Sequence, residues 1–180
     1  MYIWIACDIS EPYGRVREKC IENNRDLHIN ELAFLLPQHI SLKISFRVDD
    51  CVSENVISEV ASYLSDQPAF DIGEPVPELF GNILWLRFPE AGIMQELHSQ
   101  LDSQLLDKFG IPRHEFDCDF IFHSTLFIDD NVDLLRKMYK RMSGIPLPKS
   151  TIINRFIIGS SDSGEAGTYS VLKIVEAKCK

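Results

Sequence analysis

Two tetrapeptides, His39-Ile40-Ser41-Leu42 and His123-Ser124-Thr125-Leu126, follow one pattern: a histidine, any residue, a hydroxyl residue and a leucine. Around the first one, polar and apolar residues alternate without a break from Gln38 to Arg47. Such alternation predicts a strand with one polar and one apolar face. The predicted polar face carries an imidazole, two hydroxyls, an ammonium and a guanidinium, from His39, Ser41, Lys43, Ser45 and Arg47. A row of this composition indicates an anion site.

The second tetrapeptide lies in a run from Phe120 to Ile128 that is apolar almost throughout, as in a strand covered on both faces. Period two places His123 and Thr125 on one face of it. Each histidine therefore has a hydroxyl residue two positions along the same strand. One imidazole can take a proton from the attacking oxygen while the other protonates the leaving oxygen of a phosphate ester. The hydroxyls can donate hydrogen bonds to the phosphate.

These paired motifs resemble the two-histidine (2H) phosphoesterase superfamily, in particular its LigT-like RNA 2',3'-cyclic phosphodiesterases, also called 2'-5' RNA ligases. The resemblance implies an α/β fold of two pseudo-symmetric lobes, with mainly antiparallel sheets around a central cleft. One domain of this kind would span residues 1–180. The resemblance also implies that His39 and His123 are catalytic and that Ser41 and Thr125 bind the substrate.

Three further positions bear on the resemblance. The closing pattern of the family, a serine-containing turn followed by Gly-x-Tyr, matches Gly167-Thr168-Tyr169, which makes Tyr169 a candidate substrate-binding residue. LigT-type proteins often carry an arginine two residues after the leucine of the second motif, where this chain has Ile128. Lys43 is therefore a candidate for the missing phosphate-binding charge.

The two halves of the chain predict the same order of elements: strand, helix, motif strand, helix and strand. Tyr2-Ile3-Trp4-Ile5 in the first half corresponds to Ile83-Leu84-Trp85-Leu86 in the second. Helices are predicted to begin near Ser10, Ser53, Ala91 and Asp130. Glycine and prolines between Phe70 and Phe80 indicate the crossing between the lobes, and two closing strands are predicted over Ile152–Ile158 and Thr168–Val175.

Composition limits the classes of function. The chain has 180 residues, 45% of them hydrophobic, which is typical of one globular unit. Its apolar runs are shorter than the roughly 20 residues of a membrane span. The N-terminus is interpreted as a strand and not as a signal peptide. Five cysteines without metal-site spacing indicate reduced thiols, so we expect a cytoplasmic protein.

The net charge of −9 argues against binding to a long nucleic-acid duplex, which depends on lysines and arginines that neutralise phosphates. A small nucleotide or an RNA terminus with a cyclic phosphate or a 2'-5' linkage is the expected partner, with no membrane and no cofactor. The protein is expected to be a monomer. A metal site from Asp117, Cys118, Asp119 and His123 is not expected, because their spacing matches no metal motif.

Two classes of function stay open at this point. The first is a metal-independent phosphoesterase that uses both histidines, and the second is a non-catalytic protein that binds a nucleotide or RNA terminus in the same cleft. The charges along the chain suggest a division of labour for the enzyme. Lys43 and Arg47 would keep His39 neutral as the base, whereas nearby aspartates such as Asp117 and Asp129 would keep His123 protonated as the acid.

Overall fold

The computed structural model describes residues 1–178 and contains four α-helices and nine strands within them. The helices are α1 (Ser10–Asn23), α2 (Asp50–Ser65), α3 (Gly92–Phe109) and α4 (Val132–Met142). The strands are β1 (Tyr2–Asp8), β2 (His39–Arg47), β3 (Phe70–Gly73), β4 (Val76–Phe80), β5 (Ile83–Arg87), β6 (His123–Ile128), β7 (Ser150–Ile153), β8 (Arg155–Ser161) and β9 (Ser170–Glu176). Among these residues no helix is both long enough and apolar enough to cross a lipid bilayer.

The strands form two main sheets and one short pair. The first sheet has the order β2-β1-β8-β9, the second has the order β4-β5-β6, and β3 pairs with β7. All ladders between these strands are antiparallel. Each motif strand is an edge strand, β2 of the first sheet and β6 of the second, and the two strands contact each other. The two motifs are thereby brought to the place where the sheets meet.

One buried apolar cluster joins the two sheets to all four helices. It includes Ile5 and Leu42 from the first sheet and Leu86 and Leu126 from the second, each with no exposed surface. Full burial of such a side chain contributes about 1.5–3 kcal/mol. The shared core therefore fixes the two sheets, and with them the two motif strands, relative to each other.

The repeat predicted from the sequence is confirmed. Strand β1, helix α1, motif strand β2 and helix α2 follow one another in the first half, and β5, α3, β6 and α4 do so in the second. The segment Phe70–Phe80, predicted as the crossing between the lobes, holds two short strands, β3 and β4. Pro77 is tolerated there because β4 is an edge strand, where a missing backbone N–H costs no ladder bond.

The end of the chain differs from the prediction by one strand. The sequence predicts two strands, but the segment Ser150–Ser161 is divided at Asn154 into β7 and β8. Strand β7 pairs with β3, whereas β8 enters the first sheet between β1 and β9. One apolar run thus serves two sheets, which hydrophobic periodicity alone does not reveal.

The ladder between β1 and β2 changes register twice, between Ile3 and Ile5 and again between Ile5 and Ala6. Such irregularities shift which face a side chain occupies. Lys43 is consequently the ladder partner of the buried Ile5. The consecutive residues Leu42 and Lys43 are both buried, which a regular alternating strand would not allow. The prediction that Lys43 shares one exposed face with the first motif histidine is wrong.

Candidate active site

The two motif histidines are held in the same way. Each stands at the first position of its strand, and its Nδ1 lies 2.8 Å from the carbonyl oxygen of the residue two positions earlier, Pro37 for His39 and Ile121 for His123. A carbonyl oxygen only accepts, so Nδ1 carries the hydrogen and donates it. Each Nε2 is left as a proton acceptor when the ring is neutral and as a donor when the ring is protonated.

A tryptophan from the neighbouring strand packs against each imidazole. The ring of Trp4 lies 4.7 Å from that of His39, tilted by 47°, and the ring of Trp85 lies 4.2 Å from that of His123, tilted by 40°. Both indoles are almost fully buried. The repeated tryptophans of the sequence therefore support the two histidines in equivalent ways and restrict the orientation of both rings.

Gly159 on β8 makes room for Trp4. A Cβ atom at Gly159 would lie 2.0 Å from Nε1 of Trp4, far inside the contact distance of real atoms. The indole thus rests directly on the backbone of the neighbouring strand, with His39 as its other neighbour. A larger residue than glycine here would displace the tryptophan and the imidazole that leans on it.

Ser41 and Thr125 follow the histidines at the predicted positions. Both side chains are partly exposed. Neither hydroxyl makes a hydrogen bond to another group within residues 1–178, and neither is among the buried unpaired polar atoms. Both hydroxyls are thus free to donate to a ligand, and their part in substrate binding stays a prediction.

Gln38 connects the two motifs directly. Its amide Nε2 donates to Oγ of Ser124 at 2.8 Å and to the carbonyl oxygen of Thr125 at 3.0 Å, and its side chain is only 2% exposed. Gln38 immediately precedes His39, and Ser124 immediately follows His123. The two hydrogen bonds therefore tie together the backbone segments that carry the two imidazoles. Sequence reasoning missed this residue, because its partners lie in the other half of the chain.

Removal of the Gln38 amide is expected to impair catalysis as well as stability. Gln38→Ala should cost about 1–3 kcal/mol of unfolding free energy, because the Ser124 hydroxyl loses its partner in the core. Misplacing reacting groups by about 1 Å can cost up to 100-fold, so we expect kcat to fall at least about 10-fold. Gln67→Ala, which removes a bond to the carbonyl oxygen of Tyr63, serves as the control. A stability loss without a fall in kcat would show that Gln38 only supports the fold.

Burial lowers the pKa of both histidines below the usual value. For His39 the positive charges of His123 and Arg17 lower the pKa further, whereas the hydrogen bond to Pro37 and the charge of Asp8 raise it. For His123 the bond to Ile121 raises the pKa. Both rings are therefore mostly neutral at neutral pH. Within the described residues, neighbouring positive charges lower the pKa of His39 but not that of His123.

The aspartates that were expected to keep His123 protonated contact other groups. Asp117 pairs with Lys43 in the core, and Asp129 accepts a hydrogen bond from the backbone N–H of Asn131. No carboxylate is among the groups that shift the pKa of His123 within the part of the chain that the structure describes. The sequence-based reason for a protonated His123 is therefore wrong, because these aspartates are already paired.

Lys43 belongs to a buried ionic cluster and not to the cleft. It is 1% exposed, its Nζ contacts Asp117, and its Nζ lies 2.7 Å from Oδ1 of Asp102. Both carboxylates are equally buried. Lys43 consequently has no exposed donor for a substrate phosphate, and the prediction that it is a phosphate ligand is wrong.

His98 on α3 also lies in this cluster and is buried. Its Nδ1 is 2.7 Å from the carbonyl oxygen of Leu42, and its Nε2 is 3.2 Å from that of Asp117. The ligand atoms of His98, Asp102 and Asp117 lie within 4.8 Å of one another, as in a metal site. The ammonium of Lys43 contacts both carboxylates there and supplies a protein cation to the cluster, while Oδ1 of Asp117 has no hydrogen-bond partner among residues 1–178.

Tyr169 lies on the same side of the first sheet as Trp4 and packs against it, together with Ala6 and Ile157. Its hydroxyl is 2.5 Å from Oγ of Ser45 and donates to the carbonyl oxygen of Gly164 at 3.2 Å. The ring is only partly buried. These contacts bring Tyr169 near the His39 side of the site, and its contact with a substrate stays a prediction.

A charged residue faces each motif histidine across the ladder. Asp8 is the ladder partner of His39 and pairs with Arg155 at 2.8 Å; Arg87 is the ladder partner of His123 and pairs with Glu78 at 2.8 Å. A cavity of about 460 Å³ opens beside Arg87 at the entrance of β6. Sequence reasoning missed these pairs, because they join strands whose pairing is set by the fold.

Solved structures with the same architecture cover nearly the whole chain. Escherichia coli LigT in its apo form is 22% identical over 98% of this chain and 97% of that chain, with a TM-score of 0.59. This chain has the LigT fold. A crystallised phosphoesterase (20% identical, 99% of both chains, TM-score 0.60) and the protein TT0787 of Thermus thermophilus (14% identical, 98% and 97%, TM-score 0.63) share it.

The LigT fold confirms the two-lobed α/β architecture that the paired motifs predict. No family model matches the sequence, and no curated protein matches it either. The fold is therefore recognised through the three-dimensional arrangement of its helices and strands, at 14–22% sequence identity to these structures. In this LigT fold, the two motif strands meet along their edges.

Proposed function

We propose that the protein is a metal-independent phosphoesterase that hydrolyses a 2',3'-cyclic phosphate or a 2'-5' phosphodiester at RNA ends or in small nucleotides. The observation that carries the proposal is the duplicated histidine geometry, with Nδ1 bound to a backbone carbonyl and Nε2 left unbound by the described residues at both His39 and His123. A protein that only binds nucleotides has no need of two matched proton-transfer groups.

The proposed reaction is one displacement at phosphorus. Nε2 of His39 takes a proton from water, whose oxygen forms a bond to phosphorus while the bond to the leaving sugar oxygen breaks. That oxygen takes its proton from Nε2 of protonated His123. His39 takes the role of the base because neighbouring positive charges oppose its protonation, so it is the ring more readily found in the neutral form that can accept a proton. Ser41 and Thr125 would donate to the non-bridging oxygens as their charge grows.

Several features favour a small nucleotide or an RNA terminus as the substrate. E. coli LigT has been crystallised with 3'-AMP, ATP, NADP+ and phosphate. The cavity beside Arg87 is lined by Ile121, whose carbonyl oxygen holds the His123 ring, and its volume is in the range of ligand pockets, about 300–1,000 Å³, although neither motif histidine lines it. The net charge of −9 disfavours extended contacts with a nucleic-acid backbone. We propose that one domain acts alone as a cytoplasmic monomer.

A substrate panel in the presence of a chelator tests this function. Nucleoside 2',3'-cyclic phosphates and 2'-5'-linked dinucleotides should be turned over with EDTA present, and product analysis would show which ester oxygen leaves. Activity that is lost with EDTA and restored by a divalent metal would contradict metal independence. If nucleotides bind but no member of the panel is hydrolysed, the alternative of a non-catalytic nucleotide-binding protein is favoured.

The pH dependence of kcat/KM is expected to be bell-shaped with its maximum below pH 6.5. Catalysis needs one neutral and one protonated imidazole, and this form is most abundant between the two pKa values of the pair. Burial lowers both pKa values from the usual value of about 6.5, so the maximum moves to the acidic side. Because kcat/KM reports the free enzyme, its profile from about pH 4.5 to 8.5 is the measurement. A maximum above pH 7 would contradict the pKa directions.

A further inference from the structure

Arg17 is a half-buried cation on α1 that lies next to the segment leading into the first motif. Its Nη1 donates to the carbonyl oxygens of Ala33 at 2.9 Å and Leu36 at 3.2 Å. Its guanidinium carbon lies 5.5 Å from the ring centre of Phe34. These contacts hold the guanidinium in one place, so its charge is fixed relative to the backbone before His39.

Arg17 is unusual among the cations near the site because it has no acidic partner among the described residues. Arg155 pairs with Asp8, Arg87 pairs with Glu78, and Lys43 pairs with two buried aspartates. No carboxylate within residues 1–178 lies within 4.0 Å of the Arg17 guanidinium, whose neighbour Glu18 acts on it only at longer range. A cation that is partly removed from water without a counter-ion gains from binding an anion.

The guanidinium still has hydrogen atoms to offer. Only Nη1 is engaged within residues 1–178, which leaves the N–H of Nε and the two of Nη2. None of these atoms belongs to the buried unpaired polar atoms of that range, so they reach solvent. Two neighbouring N–H groups on one guanidinium are the arrangement that binds a phosphate through two parallel hydrogen bonds.

The chain places Arg17 close to His39. Leu36, which accepts from Arg17, is followed by Pro37, whose carbonyl oxygen holds the His39 ring. The charge of Arg17 is also near enough to lower the pKa of His39. Arg47, by comparison, is at the other end of β2, eight positions or roughly 26 Å along the strand.

We propose that Arg17 binds a second phosphate of the substrate, the 5'-phosphate of the nucleoside whose phosphoester reacts between the two histidines. The inference rests on the proposed function, because it assigns the substrate class of the same cleft. It commits the protein to substrates that carry a terminal phosphate besides the one that reacts. Arg17 is in this proposal a specificity-determining residue and takes no part in proton transfer.

Paired substrates test the proposal. A nucleoside 2',3'-cyclic phosphate with a 5'-phosphate is compared with the same compound without it, for the wild type and for Arg17→Met. We expect Arg17→Met to lower kcat/KM for the 5'-phosphorylated compound about 10- to 100-fold, mainly through KM. Each protein is measured at its own pH optimum, because loss of the Arg17 charge raises the pKa of His39, and the other compound should then change less than about threefold. Arg15→Met is the control, because Arg15 lies on the same helix with an exposed side chain that pairs with Glu11.

The outcomes separate binding from structure. If Arg17 only supports the Ala33 and Leu36 carbonyls, Arg17→Met will lower kcat/KM equally for both substrates, which overturns the proposal. Should Arg17→Met not fold, Arg17→Lys decides the question, because lysine keeps the charge. Preference for the 5'-phosphate of at least about threefold in Arg17→Lys supports the subsite, and its complete loss contradicts it.

Direct binding separates this proposal from the proposed function. Titration of the wild type and of Arg17→Met with a nucleoside 3'-monophosphate and with the 3',5'-bisphosphate needs no turnover. Tighter binding of the bisphosphate to the wild type, lost in Arg17→Met, supports the subsite even if no cyclic phosphate is hydrolysed. Hydrolysis of cyclic phosphates with equal affinity for both nucleotides would retain the proposed function and overturn the Arg17 subsite.

Discussion

His39→Ala and His123→Ala are each expected to lower kcat/KM for a nucleoside 2',3'-cyclic phosphate by about 10²- to 10⁴-fold, the usual contribution of a general acid or base. Each substitution removes one Nε2 and leaves the other imidazole on its own strand. Because both groups act in one step, the double variant should have a kcat/KM only slightly lower than that of the less active single variant. Steady-state kinetics on the purified variants is the measurement.

The matched control is His28→Ala, since His28 lies outside both motifs. Circular dichroism and urea unfolding should show that both motif variants keep the fold. The rings are partly exposed and pack mainly on Trp4 and Trp85, so their removal leaves the shared core intact. A loss below about tenfold at either motif histidine, with the fold intact, would remove that residue from the catalytic pair.

A substrate with a better leaving group assigns the roles of the two histidines. An aryl phosphodiester with an acidic phenol needs little protonation of the leaving oxygen, so it depends less on the general acid than on the base. If His123 is the acid, His123→Ala should regain much of its activity on this substrate, whereas His39→Ala should not. The opposite pattern would exchange the two roles and keep the two-histidine mechanism.

The parts of the site that the sequence revealed are local. Alternation around His39 and the repeated motif at His123 indicated two strands, and the order of helices and strands placed them in equivalent halves. Trp4 and Trp85 were visible only as a repeat, and their packing against the histidines depends on which strands are neighbours. Their similar separation in sequence from the two motif histidines was a signal that could have suggested this packing.

The parts that the sequence did not reveal depend on contacts between distant segments. Gln38 looks like any strand residue until Ser124 is placed beside it. Lys43 fits the alternating pattern perfectly, but the register change against β1 turns its side chain into the core. Arg17 is one of several charges on α1, and only the fold brings it to Leu36. Period-two patterns assume a regular ladder, which β2 does not have.

The buried ionic cluster provides the second large expected effect. Lys43→Met removes the ammonium that contacts Asp102 and Asp117, and leaves two carboxylates in the core without this cation. Breaking a buried ion pair from one side costs about 3–5 kcal/mol. This is a large share of the roughly 5–15 kcal/mol by which most domains are stable, so we expect a lower urea midpoint and poor folding near 37 °C. Arg113, which lies 3.5 Å from Asp102, is too exposed to replace the lost ammonium.

A double variant shows whether the loss comes from unpaired charge. Lys43→Met with Asp102→Leu should be more stable than the sum of the single effects predicts, because the two residues interact directly. Arg136→Met is the control, since its exposed pair with Asp133 is worth at most about 0.5 kcal/mol. The same variants distinguish the core position from the phosphate-binding role that the sequence suggested. If Lys43 bound the substrate phosphate, Lys43→Met would keep its unfolding free energy and lose kcat/KM. Because Lys43 lies in the core, we expect the unfolding free energy to fall instead.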